Sequence, residues 1–323
     1  MADKYVGLDV HMATTSYSVR DCEGKVVAEG IVATSGVNLV SLVRGIDGKV
    51  HLTFEEGTQA AWLYDLLKPY VEKLIVCDPR KASQKQEDKS DRIDANRLSE
   101  LLRVGSLTPV YHGEKGTRGL KELVRGHRDL VRDVVRVKNR VKAIFRGRGI
   151  GVKGAAVYHP DKREVFLSQL DRKELVQRVQ WYLEELDKLE ELRDQSEAAL
   201  KKEGRRHGGC RILCSMPGIG PVRAAQVVGV LDTPHRFRTK RQLWKYIGLS
   251  VVTKTSSDFV PTPNGFVRDA IAKYPTWKAY FNALVERGLE PEIARVTVAR
   301  KIAAISLFIW KKGQRYDSSI ALM

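Results

Sequence analysis

The first hundred residues alternate between extended and helical character in an order that few folds accept. Over residues 5–20 the side chains alternate in polarity and β-formers dominate; residues 25–33 repeat this character after the turn at Glu23-Gly24, and residues 49–54 add a short apolar run. These read as strands of one sheet. Helical stretches are expected at 37–45 and 59–67, then a further strand at 73–77 and a helix from about 91 to 103. The resulting order is β-β-β-α-β-α-β-α. Three early strands that can form a meander, followed by alternating helices and strands, suit a layered α/β fold of the ribonuclease-H type better than a strictly alternating doubly wound sheet.

After Pro109 the character changes to long helices. Leu123, His127, Leu130, Val134, Val137, Val141 and Ile144 recur at alternating spacings of four and three, a heptad seam flanked by many arginines and lysines. A second seam follows at Leu175, Val179, Tyr182, Leu186 and Leu189, beyond a glycine-rich segment at 147–154 and a short connection through His159 and Pro160. The two predict a helical hairpin or coiled-coil arm, with two amphipathic helices packed on the core as the alternative. Further on, Pro217-Gly218-Ile219-Gly220 precedes a helix-forming run. This is the helix-hairpin-helix pattern, a tight turn whose backbone N–H groups at a helix start can receive a phosphate, although the same turn also joins ordinary helices.

A formal net charge of +17 over 323 residues favours a polyanionic partner, and nucleic acid is the first to consider. Lysine and arginine are spread along the chain, not gathered in a basic tail. The sequence enters a strand-like run directly after Met1-Ala2-Asp3-Lys4, so secretion is not expected, and no apolar run approaches the ~18 residues needed to span a bilayer. Residues 302–310 read as a buried helix. Four cysteines form no evident disulfide framework. His207, Cys210 and Cys214 lie close together but lack a second ligand pair for zinc, so core or surface thiols are expected.

Chemistry is suggested by the acids of the first domain. Asp9 lies near the end of the first strand and Glu55 ends the strand at 50–54, where a carboxylate sits at the rim of a sheet. Asp91 and Asp94 are three residues apart at a helix start, sharing one face; helix-dipole acids are the plainer reading of that pair. Together the four make a reasonable oxygen cradle for Mg²⁺, with room for two ions, in a chain whose remaining charge is positive.

The segment 5–11, the block Phe54-Glu55-Glu56-Gly57-Thr58, the run Lys89-Ser90-Asp91-Arg92-Ile93-Asp94-Ala95 and Pro217-Gly218-Ile219-Gly220 together resemble, in this order, the DEDD transposases of the IS110 insertion-sequence family. The resemblance spans nearly the whole chain. It implies a RuvC-like, ribonuclease-H-like catalytic domain at 1–112, a helical coiled-coil arm at 113–204, and a mostly α C-terminal domain at 205–323 carrying the helix-hairpin-helix. It implies catalytic, Mg²⁺-binding roles for Asp9, Glu55, Asp91 and Asp94, with Glu56 as the substitute for Glu55. It further implies a nucleophilic serine a few residues after Gly248-Leu249. Ser256 matches best and Ser257 next. A phosphoserine would conserve bond energy for rejoining.

The same resemblance implies donor and target DNA as substrates, a structured bridge RNA as guide, assembly as dimers or tetramers, and a cytoplasmic, nucleoid-associated location with no membrane partner. Nucleic-acid contacts are expected from Gly218, Gly220 and Arg223 of the turn and from Arg125, Arg132 and Arg136 of the arm. The chain departs from the family pattern in a short stretch after Ser256, with residues 259–274 passing quickly to Trp277 and a final helix at about 292–312. Two other activities share these features. A Holliday-junction nuclease would use the acids and the turn without a serine, and a non-catalytic nucleic-acid-binding assembly protein would bind unaffected by loss of Asp9 or Asp94.

Overall fold

The computed structural model describes residues 2–79, 91–113, 115–250 and 265–321, the side chains of residues 91, 115, 320 and 321 excepted. Two compact units divide the chain, Met1–Gly113 and Glu114–Met323.

In the first unit β1 (Asp3–Val10), β2 (Thr14–Arg20) and β3 (Val26–Ala33) form an antiparallel meander, which differs from the expected one because residues 5–20 supply two of its strands and the run 49–54 lies outside it. The run 5–20 holds two strands, which turn where the His11 N–H donates to the Thr14 carbonyl at 3.0 Å. On the other side of β1 the sheet continues in parallel through β4 (Lys49–Glu55) and β5 (Lys73–Cys77), giving the order β3-β2-β1-β4-β5. Parallel neighbours need a crossover. Helix α1 (Gly36–Arg44) lies between β3 and β4 in the chain, and α2 (Ala60–Leu67) lies between β4 and β5.

One face of the sheet is apolar. Val6, Leu8, Leu52, Phe54 and Val76 meet Leu39, Val43, Leu63 and Leu67 of α1 and α2 in a single buried cluster. A third helix, α3 (Asp91–Arg103), packs on β1, β2 and β4. Because side chains alternate across a strand, Gly7 and Asp9 lie on the face opposite Val6 and Leu8, toward α3. Gly7 is required there. A Cβ at this position would stand 2.3 Å from the Ala95 carbonyl oxygen and 2.5 Å from the Ser99 nitrogen. The helix backbone therefore rests directly on the strand, and polar contacts fix its position: the Ser18 hydroxyl donates to Asn96 Oδ1 at 2.7 Å, Arg20 Nε donates to Ser99 Oγ at 3.1 Å, and Asn96 Nδ2 donates to Glu29 Oε2 at 3.1 Å.

In the second unit α4 (Arg118–Arg146) and α6 (Lys173–Gly204) form an antiparallel pair, with the short α5 (Pro160–Leu167) in the connection between them. His127 Nδ1 lies 2.9 Å from Ser196 Oγ, and Lys138 Nζ donates to Glu190 Oε1 at 2.5 Å, so residues later in α4 meet residues earlier in α6. The buried stripe differs from the predicted heptads at several positions. In α4 Leu120, Val124 and Phe145 are buried where Leu123 and Ile144 were expected, and in α6 Leu183 is buried where Tyr182 was expected. The cause is a second partner. Leu120 and Val124 enter the core of the following helices together with Leu200, so the first turns of α4 answer to more than one helix.

That core collects α7 (Gly208–Leu213), α8 (Pro221–Leu231), α10 (Gly265–Lys273), α11 (Pro275–Glu286) and α12 (Pro291–Lys312) around Trp277, Leu213 and Ile309. The small α9 (Lys240–Tyr246) packs on α12. Within the expected buried run, Ile302, Ile305, Leu307 and Ile309 are buried, and among the described residues no helix is long and apolar enough to cross a membrane. All four cysteines are free thiols, Cys77 and Cys210 buried, Cys22 and Cys214 exposed.

Candidate active site

The register of the parallel strands brings the first two predicted acids to one edge. Leu8 pairs with Phe54 and Gly7 with Thr53, so Asp9 and Glu55 follow at the C-terminal ends of β1 and β4 on the α3 side of the sheet. In open α/β sheets this is the edge at which ligands bind. Asp94 comes from the second turn of α3, which Gly7 allows to lie close.

The Glu55 carboxyl is raised above the usual carboxylate range, first by partial withdrawal from water and then by the negative charges of Asp9 and Asp94, with Asp78 adding to the effect and Arg97 opposing it. Asp9 also carries an interaction with His11, whose Nε2 stands 3.2 Å from Asp9 Oδ2.

Glu55 and its neighbour Glu56 are separated by the strand end. Glu56 is bonded to His112, Nε2 to Oε2 at 2.6 Å, and His112 in turn stacks on Tyr64 at 5.0 Å between ring centroids.

Asp78 and Arg97 were missed by sequence reasoning. Asp78 directly follows the apolar strand 74–77 in the same manner that Glu55 follows its strand, and that repetition was the available signal. Its N–H donates to the Thr108 carbonyl at 3.1 Å, which ties the end of β5 to the segment after α3. Beside these acids lies the buried Cys77, whose thiol burial, with the Glu55 charge next, pushes up to about 11.

Asp91 begins α3, but its side chain lies outside the described residues, and among the described residues no three potential ligands stand close enough to hold an ion. Glu55 senses the charges of both Asp9 and Asp94. Their chemistry nonetheless fits a hard divalent ion, since every donor is a carboxylate oxygen and their mutual repulsion is what such an ion relieves. Ser256 and Ser257 lie outside the described residues.

The turn and the arm have their own geometry. Gly218 adopts φ +91°, the left-handed conformation that favours glycine, and Gly220 precedes α8 with open space around its Cα. Arg223 donates to the Gly218 carbonyl at 3.1 Å and lies 4.8 Å from the centre of the Phe266 ring, while Trp277 Nε1 donates to the Pro217 carbonyl at 3.2 Å. On α4, Arg125 pairs with Glu122 at 2.7 Å, Arg132 with Asp129 at 2.9 Å and Arg136 with Asp133 at 2.8 Å. Exposed pairs of this kind contribute little stability, but each arginine must exchange a carboxylate before it can meet a phosphate.

A mixed five-stranded sheet of this order, with carboxylates gathered at the ends of its parallel strands and a helical unit after it, is compatible with a ribonuclease-H-like domain joined to a helical C-terminal half. A family model for the DEDD transposases of IS110 matches residues 6–148, and a second, described as transposase of the IS116/IS110/IS902 family, matches residues 210–264. The chain belongs to the IS110 family of transposases. It is 27% identical over 154 residues to the protein named "Putative transposase y4qE" of Sinorhizobium fredii; the match takes in 46% of this chain and 40% of that protein.

Proposed function

We propose that this chain is a transposase that cuts and rejoins DNA, using Mg²⁺ held by Asp9, Glu55, Asp91 and Asp94 and a serine nucleophile, Ser256. The observation that carries the reading is the placement of Asp9 and Glu55 together at the C-terminal edge of the parallel strands, with Glu55 coupled to Asp9 and to Asp94 of α3, in a chain with a net charge of +17. Family membership supports DNA as the substrate. When bound, Mg²⁺ supplies Lewis-acid polarisation of the scissile phosphate.

The chain's own residues do the rest. Asp9 and Glu55 are held by hydrogen-bonded strands, and Asp94 by a helix seated on Gly7, so the acidic edge is preorganised by rigid elements. The Ser256 hydroxyl oxygen forms a bond to phosphorus as one phosphodiester P–O bond breaks, its proton leaves, and the departing strand ends as a free hydroxyl. A second DNA hydroxyl later attacks the phosphoserine and releases Ser256, so no phosphate ester is lost across the exchange.

In this reading the chain is divided at 1–112, 113–204 and 205–323, and a bridge RNA selects sequence by base pairing while the protein grips backbones. Assembly as dimers or tetramers through the α4–α6 pair is supported by Val131 and Val135 of α4 and Trp181 of α6, which are exposed apolar side chains on that arm.

The test is strand exchange with donor DNA, target DNA, Mg²⁺ and the element's guide RNA, with protein–DNA adducts resolved on denaturing gels. Wild type should give both adduct and recombinant, and Ser256→Ala neither. A Ser256→Ala protein that still cuts and joins, with no adduct in either protein, removes the serine step and favours hydrolysis by the acids alone, the nuclease reading.

A further inference from the structure

An unassigned positive surface of the second unit lies on and before α9. From Thr233 to Ser257 the sequence contains no aspartate or glutamate, yet it places Arg236, Arg238, Lys240, Arg241 and Lys245 within ten residues. This differs from α4, whose arginines at 125, 132 and 136 each follow an acid by three residues and pair with it. Among the described residues Arg238, Lys240, Arg241 and Lys245 make no ion pair, and all four side chains are exposed. A cation without a carboxylate partner meets a phosphate without first breaking a contact, so charge counting along the chain misranks the two surfaces.

The local fold holds these cations on a firm base. Thr239 caps α9 by accepting from the Gln242 N–H, and the Arg238 N–H donates to Gln242 Oε1 at 2.7 Å. Leu243 is buried with Leu231, Phe237 and Leu307, and Trp244 Nε1 donates to the Arg300 carbonyl at 3.1 Å. Two adjacent residues thus anchor the helix, and the remainder is left to solvent. Beside it the Arg236 guanidinium lies 4.4 Å from the centre of the Tyr246 ring, and Tyr246 itself is 46% exposed. Basic side chains interleaved with an exposed aromatic are the composition of surfaces that track a nucleic-acid backbone.

We propose that Arg238, Lys240, Arg241 and Lys245, with the Arg236–Tyr246 stack, form a sequence-independent contact for the phosphodiester backbone of a nucleic acid. This rests on the nucleic-acid reading above and adds a site to it. DNA and RNA share the recognised chemistry, and the test separates them.

Binding of the full chain to duplex DNA of arbitrary sequence and to RNA of the same sequence is measured by fluorescence anisotropy between 50 and 200 mM salt. Each phosphate contact on duplex DNA contributes about 0.9 to the salt slope. The variant Lys240→Gln/Arg241→Gln/Lys245→Gln should lose about 2.7 of that slope, so that wild-type affinity falls on the order of 40-fold more than the variant's across this range.

Arg125→Gln/Arg132→Gln/Arg136→Gln on the arm should lose less, and the charge-keeping Lys240→Arg/Lys245→Arg should retain the wild-type slope, which separates charge from misfolding. The polymer whose slope responds is the ligand of this surface. An unchanged slope with both polymers overturns the proposal while leaving the transposase reading intact, and absence of wild-type binding to either overturns both. A chain that binds through this surface but fails in strand exchange counts against the proposed function alone.

Discussion

Glu55→Gln is expected to lower strand exchange on the order of a thousandfold, corresponding to several kcal/mol of lost transition-state stabilisation at a metal site, while making the first unit more resistant to heat at neutral pH. The two effects have one cause. Partial burial, then the charges of Asp9 and Asp94, raise the Glu55 carboxyl above its ordinary range, so the folded chain binds that proton more tightly than the unfolded chain does. The stabilising contribution is complete below the ordinary carboxylate range and is lost as pH rises through the raised value. Ionised Glu55 therefore opposes folding at pH 7, and glutamine, which cannot ionise, does not. Melting temperatures of both proteins across pH 4–8 should show a gap that favours the variant at pH 8 and closes toward pH 4. Added Mg²⁺ should raise the wild-type melting temperature more than the variant's, because a ligand stabilises the state that binds it. A variant less stable than wild type at pH 8, with no response to pH in the difference, would remove the coupled-acid account.

Gly7→Val is expected to be the most damaging single substitution in the first unit. Even the Cβ of alanine would meet backbone atoms of α3 at 2.3 and 2.5 Å, and backbone cannot swing aside as a side chain can. Overpacking costs typically 1–3 kcal/mol, and a β-branched side chain against a helix backbone belongs at the upper end, roughly 3 kcal/mol. For a unit of this size that lowers the melting temperature by on the order of 15 °C. The displaced helix carries Asp94, so strand exchange should fall further than the fraction of folded protein does. A Gly7→Val protein that melts within a few degrees of wild type would show that α3 does not rest on β1 as described.

Much of the first unit was legible in the sequence because a sheet covered on one face by two helices leaves a period-two record in its strands. Asp9 and Glu55 could be singled out for the same reason, since a charge ending an apolar strand breaks the local pattern. Asp78 breaks it in the same way but was passed over, and Arg97 left no mark, since a cation in the middle of a helix has many ordinary uses. The resemblance put Glu55 first, with Glu56 as its substitute, because its register rests on one adjacent position. Adjacent residues at a strand end point to opposite sides, and only the β1–β4 register and the His112 contact separate them.

The arm shows a different limit. Its hairpin character follows from two amphipathic runs separated by glycines, but the identity of the buried residues at its base depends on Leu120 and Val124 joining a core built from helices more than eighty residues away in the chain. The sequence by itself determined the order of elements, the positive charge, the acids at strand ends and the glycine turn, all of which are local or additive properties. Only the tertiary structure decided that Gly7 must lack a side chain, that Glu55 is coupled to Asp9 and Asp94, and that Arg125, Arg132 and Arg136 of the arm are already paired while, among the described residues, Arg238 and Arg241 at α9 make no ion pair. Each of these depends on distances between groups far apart in sequence, and electrostatic and steric energies are functions of those distances.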